Sequence, residues 1–208
     1  MEPFAGAAAY SMYWMRRRPH LEVVLYEIDP MVVGLWRRVL GMTPDELWDY
    51  PCPEVGERST DTLWAVSSSD QTRLPVISNG GAFKVSPRMA ERFPSERRRM
   101  ADILAHIDPA KIEINLASYD TATDTESTWF VDPPYQKEGH RYASFNEIDF
   151  SALGEWCRSR RGQVIACESD GADWLDFMPH RQHLNQSGDP STEVVWYSHP
   201  EPTLLDLM

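Results

Sequence analysis

Long apolar runs are missing from this chain: no stretch approaches the roughly 20 residues that a membrane-spanning helix requires. The N-terminus carries Glu2 and puts its arginines after the apolar stretch, the reverse of a secretory signal. Cysteine is scarce as well. Cys52, Cys157 and Cys167 are an odd number without metal-ligand spacing, which argues against a zinc site and for reduced thiols, with Cys157 and Cys167 in or near a core. The sequence has no Walker lysine motif, no turn with the three glycines of a dinucleotide fingerprint, no internal repeat and no low-complexity tract. Ser11 lacks the His and Asp pattern that would mark a nucleophile. These absences exclude a membrane span, weigh against ATP and NAD as ligands, and imply a soluble, cytoplasmic protein without a bound metal.

Positive charge is also in short supply. The net charge of −12 counts against a polyanionic partner, because phosphate binding is driven by local positive charge. The basic residues nevertheless cluster, at Arg16 to Arg18, at Lys84, Arg88, Arg92 and Arg97 to Arg99, and at Arg158, Arg160 and Arg161. A basic face can therefore coexist with an acidic remainder, although each cluster reads equally as a solvated helix face balanced by glutamates.

What is present is a core and an alternation of elements. A hydrophobic fraction of 42% in 208 residues suits one globular domain with a small inserted subdomain. A turn around Gly6 feeds a helix from about Ala7 to Arg18, on which Tyr10, Tyr13 and Trp14 read as core residues. "LEVVLYEID" is a β-branched run of the kind a buried parallel strand shows, and Pro30 starts a helix that Gly41 stops. Thr43, Pro44 and Glu46 form a capping box for a short helix through Trp48.

From Tyr50 to Arg92 the pattern weakens, with "SNGGAFKV" entering a short strand or hairpin. Ser95 reads as the N-cap of "ERRRMADILAHI", whose Met100, Ile103, Leu104 and Ile107 share a face. "KIEINLAS", "STWFV", "QVIACES" and "TEVVWYS" read as strands, and "DFSALGEWCRSRRG" and "GADWLDFM" as helices. His106 and Trp156 read as packing residues, and His140 and Arg141 as a solvated loop. The alternation predicts a doubly wound α/β sheet, with ligands at the carboxyl ends of its strands, in three parts: 1–49, an insertion at 50–94, and 95–208.

Three stretches fall at such ends. "EPFAGA" is a glycine-containing turn opening a helix; alone it reads first as an ordinary strand-to-helix turn. "YEID" sets Glu27 and Asp29 after the next strand, where an acid accepts hydrogen bonds from ribose hydroxyls. "DPPY" is sharper. Pro133 and Pro134 lock φ, so the Asp132 carboxylate and the Pro133 carbonyl form two fixed acceptors beside the flat ring of Tyr135. Two acceptors and a stacking face suit an exocyclic amino group on a planar base, holding both N–H groups and directing the nitrogen lone pair outward. A duplex base reaches such a pocket only when flipped out of the stack.

These motifs resemble the S-adenosylmethionine-dependent adenine-N6 DNA methyltransferases of the Dam-like, D12 class. The likeness lies in "EPFAGA", "LYEIDP", "SNGGAFKVSP", "WFVDPPY" and "STEVVWYS", in the family's order and over nearly the whole chain. It implies a Rossmann-like methyltransferase sheet with an inserted DNA-recognition region at 50–94, between cofactor-binding and catalytic parts of the core. It further implies that Glu2, Pro3, Phe4, Ala5 and Gly6 line the methionine and ribose end of S-adenosylmethionine. Glu27, with Asp29 as runner-up, binds the ribose, while Ser118, Tyr119 and Asp120 lie near the cofactor adenine, where Asp132 also borders the cofactor. Asp132, Pro133, Pro134 and Tyr135 hold the target adenine, and Asn79, Gly81, Phe83, Lys84, Arg88, Arg97 and Arg98 meet duplex DNA.

The sequence departs from the family pattern at three places. Ala8 stands where the family has a second glycine, Lys84 where it has asparagine, and a K-x-x-G-G-K-like segment that precedes the cofactor turn in the family is not seen ahead of "EPF". The resemblance therefore implies a weakened grip on the cofactor. An RNA base N-methyltransferase, or a degenerate methyltransferase fold kept for nucleic-acid binding, are the other readings of the same residues. Small size and a compact recognition region fit a bacterial, phage or mobile-element setting.

Overall fold

The computed structural model describes residues 1–66, 82–137, 148–184 and 190–198. The chain is mixed α/β and divides into two compact units, one formed by Gly6–Leu116 and the other by Met1–Ala5 with Ala117–Met208. Asn79, Gly81, His140 and Arg141 lie outside the described residues. No helix among the described residues is long and apolar enough to cross a membrane.

In the Gly6–Leu116 unit, helix α1 (Ala9–Arg17) begins two residues later than its pattern predicts. Gly6 and Ala8 precede it with φ of 44° and 45°, so the turn extends through Ala8 before helical geometry can start. Strand β1 (Val23–Glu27) is followed by α2 (Pro30–Leu40), whose first turn is fixed by the Asp29 carboxylate accepting from the Met31 N–H at 2.8 Å. Helix α3 (Pro44–Trp48) carries the expected capping box between Thr43 and Glu46. A short ribbon pairs β2 (Arg58–Ser59) antiparallel with β3 (Phe83–Lys84), and α4 (Thr62–Val66) lies between them in sequence. After α5 (Pro87–Leu104), strand β4 (Ile112–Leu116) returns parallel to β1, in a register that runs from Val23 against Ile112 to Glu27 against Leu116.

Helix α5 corrects the expectation at Ser95. Its N-cap is Ser86, accepting from the Met89 N–H at 3.3 Å, with Pro87 at the first helical position, and the helix continues through Pro94. Pro94 has no N–H for the preceding turn, a loss that ordinarily ends a helix. Here Met89 and Phe93 on one side of it and Ala101 and Leu104 on the other are all buried. Burying a side chain such as Phe93 or Leu104 is worth about 1.5–3 kcal/mol, so the two halves together outweigh the missing bond. Ser95 instead donates its hydroxyl back to the Arg92 carbonyl at 2.7 Å.

The other unit is a four-stranded sheet in the order β5-β6-β8-β7. Strand β5 (Ser127–Val131) lies parallel to β6 (Gly162–Ser169), and β8 (Pro190–Tyr197) runs antiparallel to both β6 and β7 (Met178–Leu184). On the free side of β5, Met1 donates to the Thr128 carbonyl and accepts from the Phe130 N–H, each at 2.9 Å, a parallel ladder pattern. Strand β6 is buried along most of its length, the signature of a strand covered on both faces. Helix α6 (Phe150–Ser159) contributes Leu153, Gly154 and Cys157 to this core. Gly154 is there because a β-carbon would come within 2.6 Å of the Trp174 carbonyl oxygen.

Three further expectations change. "GADWLDFM" is an irregular stretch running into β7 rather than a helix: the Ala172 N–H donates to the Ser169 carbonyl and the Asp173 N–H to the Gln136 side chain, so these backbone donors are used outside a helical ladder. Tyr13 is 48% exposed, with the Arg17 guanidinium 3.6 Å from its ring centre; Ser11, Met12 and Met15 fill the buried face of α1 instead. His106 is exposed beside Asp102, not a packing residue. Trp156 does pack, edge-on against both Trp129 and Tyr119.

Candidate functional site

At the carboxyl end of β1 the chain builds a small anion-centred corner. Glu27 accepts the Gly6 N–H on one oxygen and the Asp29 N–H on the other, both at 3.0 Å. The Trp36 indole donates to the Gly6 carbonyl at 2.8 Å, so the glycine turn is held from both of its polar faces. A carboxylate has about four lone-pair sites, and the hydrogen bonds among the described residues use two of those on Glu27. Asp29 is committed to capping α2, which leaves Glu27 as the better hydroxyl acceptor of the two.

The sequence alone assigns no role to two apolar residues at this corner: Ile28, inside "LYEIDP", and Leu116. Ile28 is 40% exposed and Leu116, in register with Glu27, is 51% exposed. Exposed aliphatic side chains at the carboxyl ends of adjacent parallel strands make a surface for a flat ring, and only their position in the fold gives the signal. An acid beside exposed aliphatic side chains is an arrangement that can accept hydroxyl groups and seat a flat ring.

The second group of residues belongs to the β5–β8 unit. Asp132 directly follows β5 and precedes the buried Pro133 and the half-buried Pro134 and Tyr135. Asp132 as a whole is exposed, yet its carboxyl group is backed by protein. Desolvation, with smaller contributions from the carboxylates of Glu193 and Glu168, lifts it from 3.8 to about 6 against an opposing hydrogen bond from the Tyr135 hydroxyl. Burial, followed by the Asp132 charge, raises the Tyr135 phenol far above its ordinary range, so it stays a donor at all working pH values. Cys167 is likewise pushed up, first by burial and then by Asp132, Glu193, Glu168 and Glu2, which makes it an inert thiol.

Glu168 was not expected at this site, and the sequence around it reads only as a strand ending. It is wholly buried, and one of its oxygens accepts the Gln136 N–H at 2.7 Å and the Trp174 indole at 3.1 Å. The other accepts the Ser169 N–H at 2.8 Å.

The remaining expected residues are distributed as follows. Glu2, Pro3 and Ala5 are buried, while Phe4 is half-buried and stacks on Tyr119 with ring centres 5.4 Å apart. Ser118 precedes a 3-10 turn, Tyr119–Thr121, that leaves Asp120 exposed. In the Gly6–Leu116 unit, Lys84, Arg88 and Arg98 are exposed, Arg98 lying 5.5 Å from the ring centre of Trp48. Phe83 is buried, and Arg97 donates to the Tyr50 carbonyl, so neither offers a free surface for a partner. Among the described residues no group of three or more His, Cys, Asp or Glu side chains is arranged to hold a metal ion. No protein-family model matches the chain, and the search of curated proteins finds no match.

Proposed function

We propose that this chain is an S-adenosylmethionine-dependent methyltransferase acting on adenine N6 in duplex DNA, a Dam-like protein of the D12 class with a Rossmann-like sheet, working in the cytoplasm. One observation carries the reading. A rigid Asp-Pro-Pro-Tyr turn leaves the end of a parallel core strand with an acceptor carboxylate, an acceptor carbonyl and a permanently protonated phenol beside them. A glycine turn tied to an acid at a second strand end supports it. So does the left-handed backbone of Ala8, a conformation that favours the glycine the family carries there. Parallel strands β5 and β6 beside an antiparallel edge also suit a doubly wound sheet.

In this reading Glu27 accepts from the ribose hydroxyls, and Ile28 and Leu116 cover the adenine of the cofactor. Asp132 and the Pro133 carbonyl take the two N–H groups of the flipped target base while Tyr135 lies against its face, which offsets part of the unstacking cost of a few kcal/mol. Held this way, the N6 lone pair is turned away from the ring. The cofactor supplies a methyl group activated by its sulfonium; the N–C bond forms as the S–C bond breaks, and the surplus N6 proton passes to solvent. No enzyme-bound intermediate is needed.

The test is methyl transfer to mixed-sequence duplex DNA, with RNA and single-stranded DNA in parallel, followed by digestion to nucleosides and mass spectrometry. Duplex DNA containing N6-methyladenine, lost in Asp132→Ala, is the expected result. Methylation of RNA alone would move the substrate, and no methylated nucleoside in any sample would overturn the reading.

A further inference from the structure

Glu168 is an ionisable, wholly buried side chain with no part in the chemistry above beyond its small effect on Asp132. It lies in β6 opposite Val194 of β8, with protein on every side. Burying a carboxylate is costly unless its oxygens are satisfied, so its partners show what the cost supports. They are the Gln136 N–H, the Trp174 indole N–H, the Ser169 N–H and, at 3.5 Å, the Ser169 hydroxyl.

Gln136 directly follows Tyr135. The two prolines before it have no N–H to tie the turn down, so the Gln136 amide is a donor through which the Asp-Pro-Pro-Tyr turn can be anchored. It is anchored to an ionisable oxygen, the stronger kind of acceptor. The Gln136 side chain repeats the attachment: its amide nitrogen donates to the Asp173 carboxylate at 2.9 Å and its oxygen accepts the Asp173 N–H at 3.2 Å. Trp174, next in the chain, closes the ring of bonds on Glu168.

We propose that Glu168 is a positioning residue that fixes the Asp132–Tyr135 turn to the end of β6 through the Gln136 amide, with Asp173 and Trp174 completing the clasp. This rests on the methyltransferase reading for its consequence and on the hydrogen bonds alone for its structure. The turn's acceptors must meet a base within fractions of an ångström, and misplacement by about 1 Å costs on the order of 100-fold in rate.

The experiment has two arms on the full chain. Hydrogen exchange of the 131–137 segment is compared in wild type, Glu168→Ala and Glu168→Gln, with the 23–27 segment as internal control. Steady-state methyl transfer is measured on the same proteins. Glu168→Ala is expected to speed exchange in 131–137 and leave 23–27 unchanged, and to lower kcat by about 10-fold or more with KM for S-adenosylmethionine unchanged, a rate loss within the range that misplacement produces. Glu168→Gln, which keeps an oxygen for Gln136 and Trp174, should recover most of both. Unchanged exchange in 131–137 in both variants overturns the proposal whether or not the protein methylates. Faster exchange with wild-type kcat in Glu168→Ala overturns the positioning role. Faster exchange in Glu168→Ala, together with a wild-type chain that methylates nothing, leaves the clasp standing and removes the methyltransferase reading. If Glu168→Ala fails to fold, Glu168→Gln decides: loss of kcat equal to a complete turn release, with no recovery, also counts against the proposal.

Discussion

The Glu27 carboxylate accepts the backbone N–H of Gly6 at 3.0 Å, which ties the glycine turn to the end of β1. The acid therefore shapes the turn as well as offering lone pairs to a ligand. Replacing it with alanine removes both roles. Hydrogen bonds to a charged group are worth about 1.5–3 kcal/mol, so Glu27→Ala is expected to weaken S-adenosylmethionine binding by about 10- to 100-fold, read by titration calorimetry. Asp29→Ala should chiefly cost stability through the lost cap, about 1 kcal/mol, seen as a lower melting temperature, and leave binding close to wild type.

Asp132 titrates at about 6, and its ionised form is the acceptor the chemistry needs. The rate at low substrate should fall about tenfold per unit below that pH, with a plateau above it. The charged groups that bear on Asp132 are Glu193 and Glu168, with Tyr135 as hydrogen-bond donor, so Glu193→Gln should move the limb to lower pH. A limb that stays in place in Asp132→Asn would show that another group is responsible.

The same shift has a stability consequence of opposite sense to an ordinary salt-bridged acid. The folded-state value lies above 3.8, so the native state holds its proton more tightly than the unfolded chain. Its contribution is most favourable below about 4 and is lost as pH rises through 6. Asp132→Asn should therefore melt higher than wild type at pH 7.5, with the gap closing at pH 4. A constant gap across that range contradicts the assignment.

Ala8 sits at φ 45° and is 2% exposed. Glycine there gains about 1–2 kcal/mol of backbone relief and gives up about 0.8 kcal/mol of buried methyl, together with about 0.4–1 kcal/mol from the freer unfolded chain. Ala8→Gly should be neutral within about 1 kcal/mol, although a buried Ala→Gly change ordinarily destabilises. Ala8→Val, β-branched in the left-handed region, should destabilise strongly in chemical denaturation.

Gly162 opens β6 at φ 86°, and a β-carbon would stand 2.2 Å from the Ser127 carbonyl oxygen. Strain and overlap each cost about 1–3 kcal/mol, so Gly162→Ala should lose about 3 kcal/mol or more and loosen the β5–β6 pairing that carries Asp132. Denaturant unfolding measures the first, and hydrogen exchange of β5 the second.

Much of this was legible along the chain. Asp29-Pro30 and Gly41 bound one helix, Thr43 and Glu46 cap the next, and two of the strands end at Glu27 and at Val131, just before Asp132, because caps, proline geometry and strand alternation act over a few residues. Ser95 misled for the same local reason: it looks like a cap, while Ser86 does the work and burial on both sides carries the helix across Pro94. Tyr13 misled because helical spacing does not say which face is covered. Strand β7 escaped notice, since "MPHRQHL" lacks the apolar pattern and is a strand because β8 lies alongside it.

The residues themselves determined the chemistry on offer: two fixed acceptors and an aromatic ring at one strand end, an acid and a glycine turn at another. Tertiary structure decided how those groups are held and tuned. The value of about 6 for Asp132 comes from protein packed behind it and from Glu193, 61 positions away in the chain. Glu168 reaches Gln136 across 32 positions because β5 and β6 are neighbours, and desolvation and long-range hydrogen bonds exist only after the strands that carry them have paired.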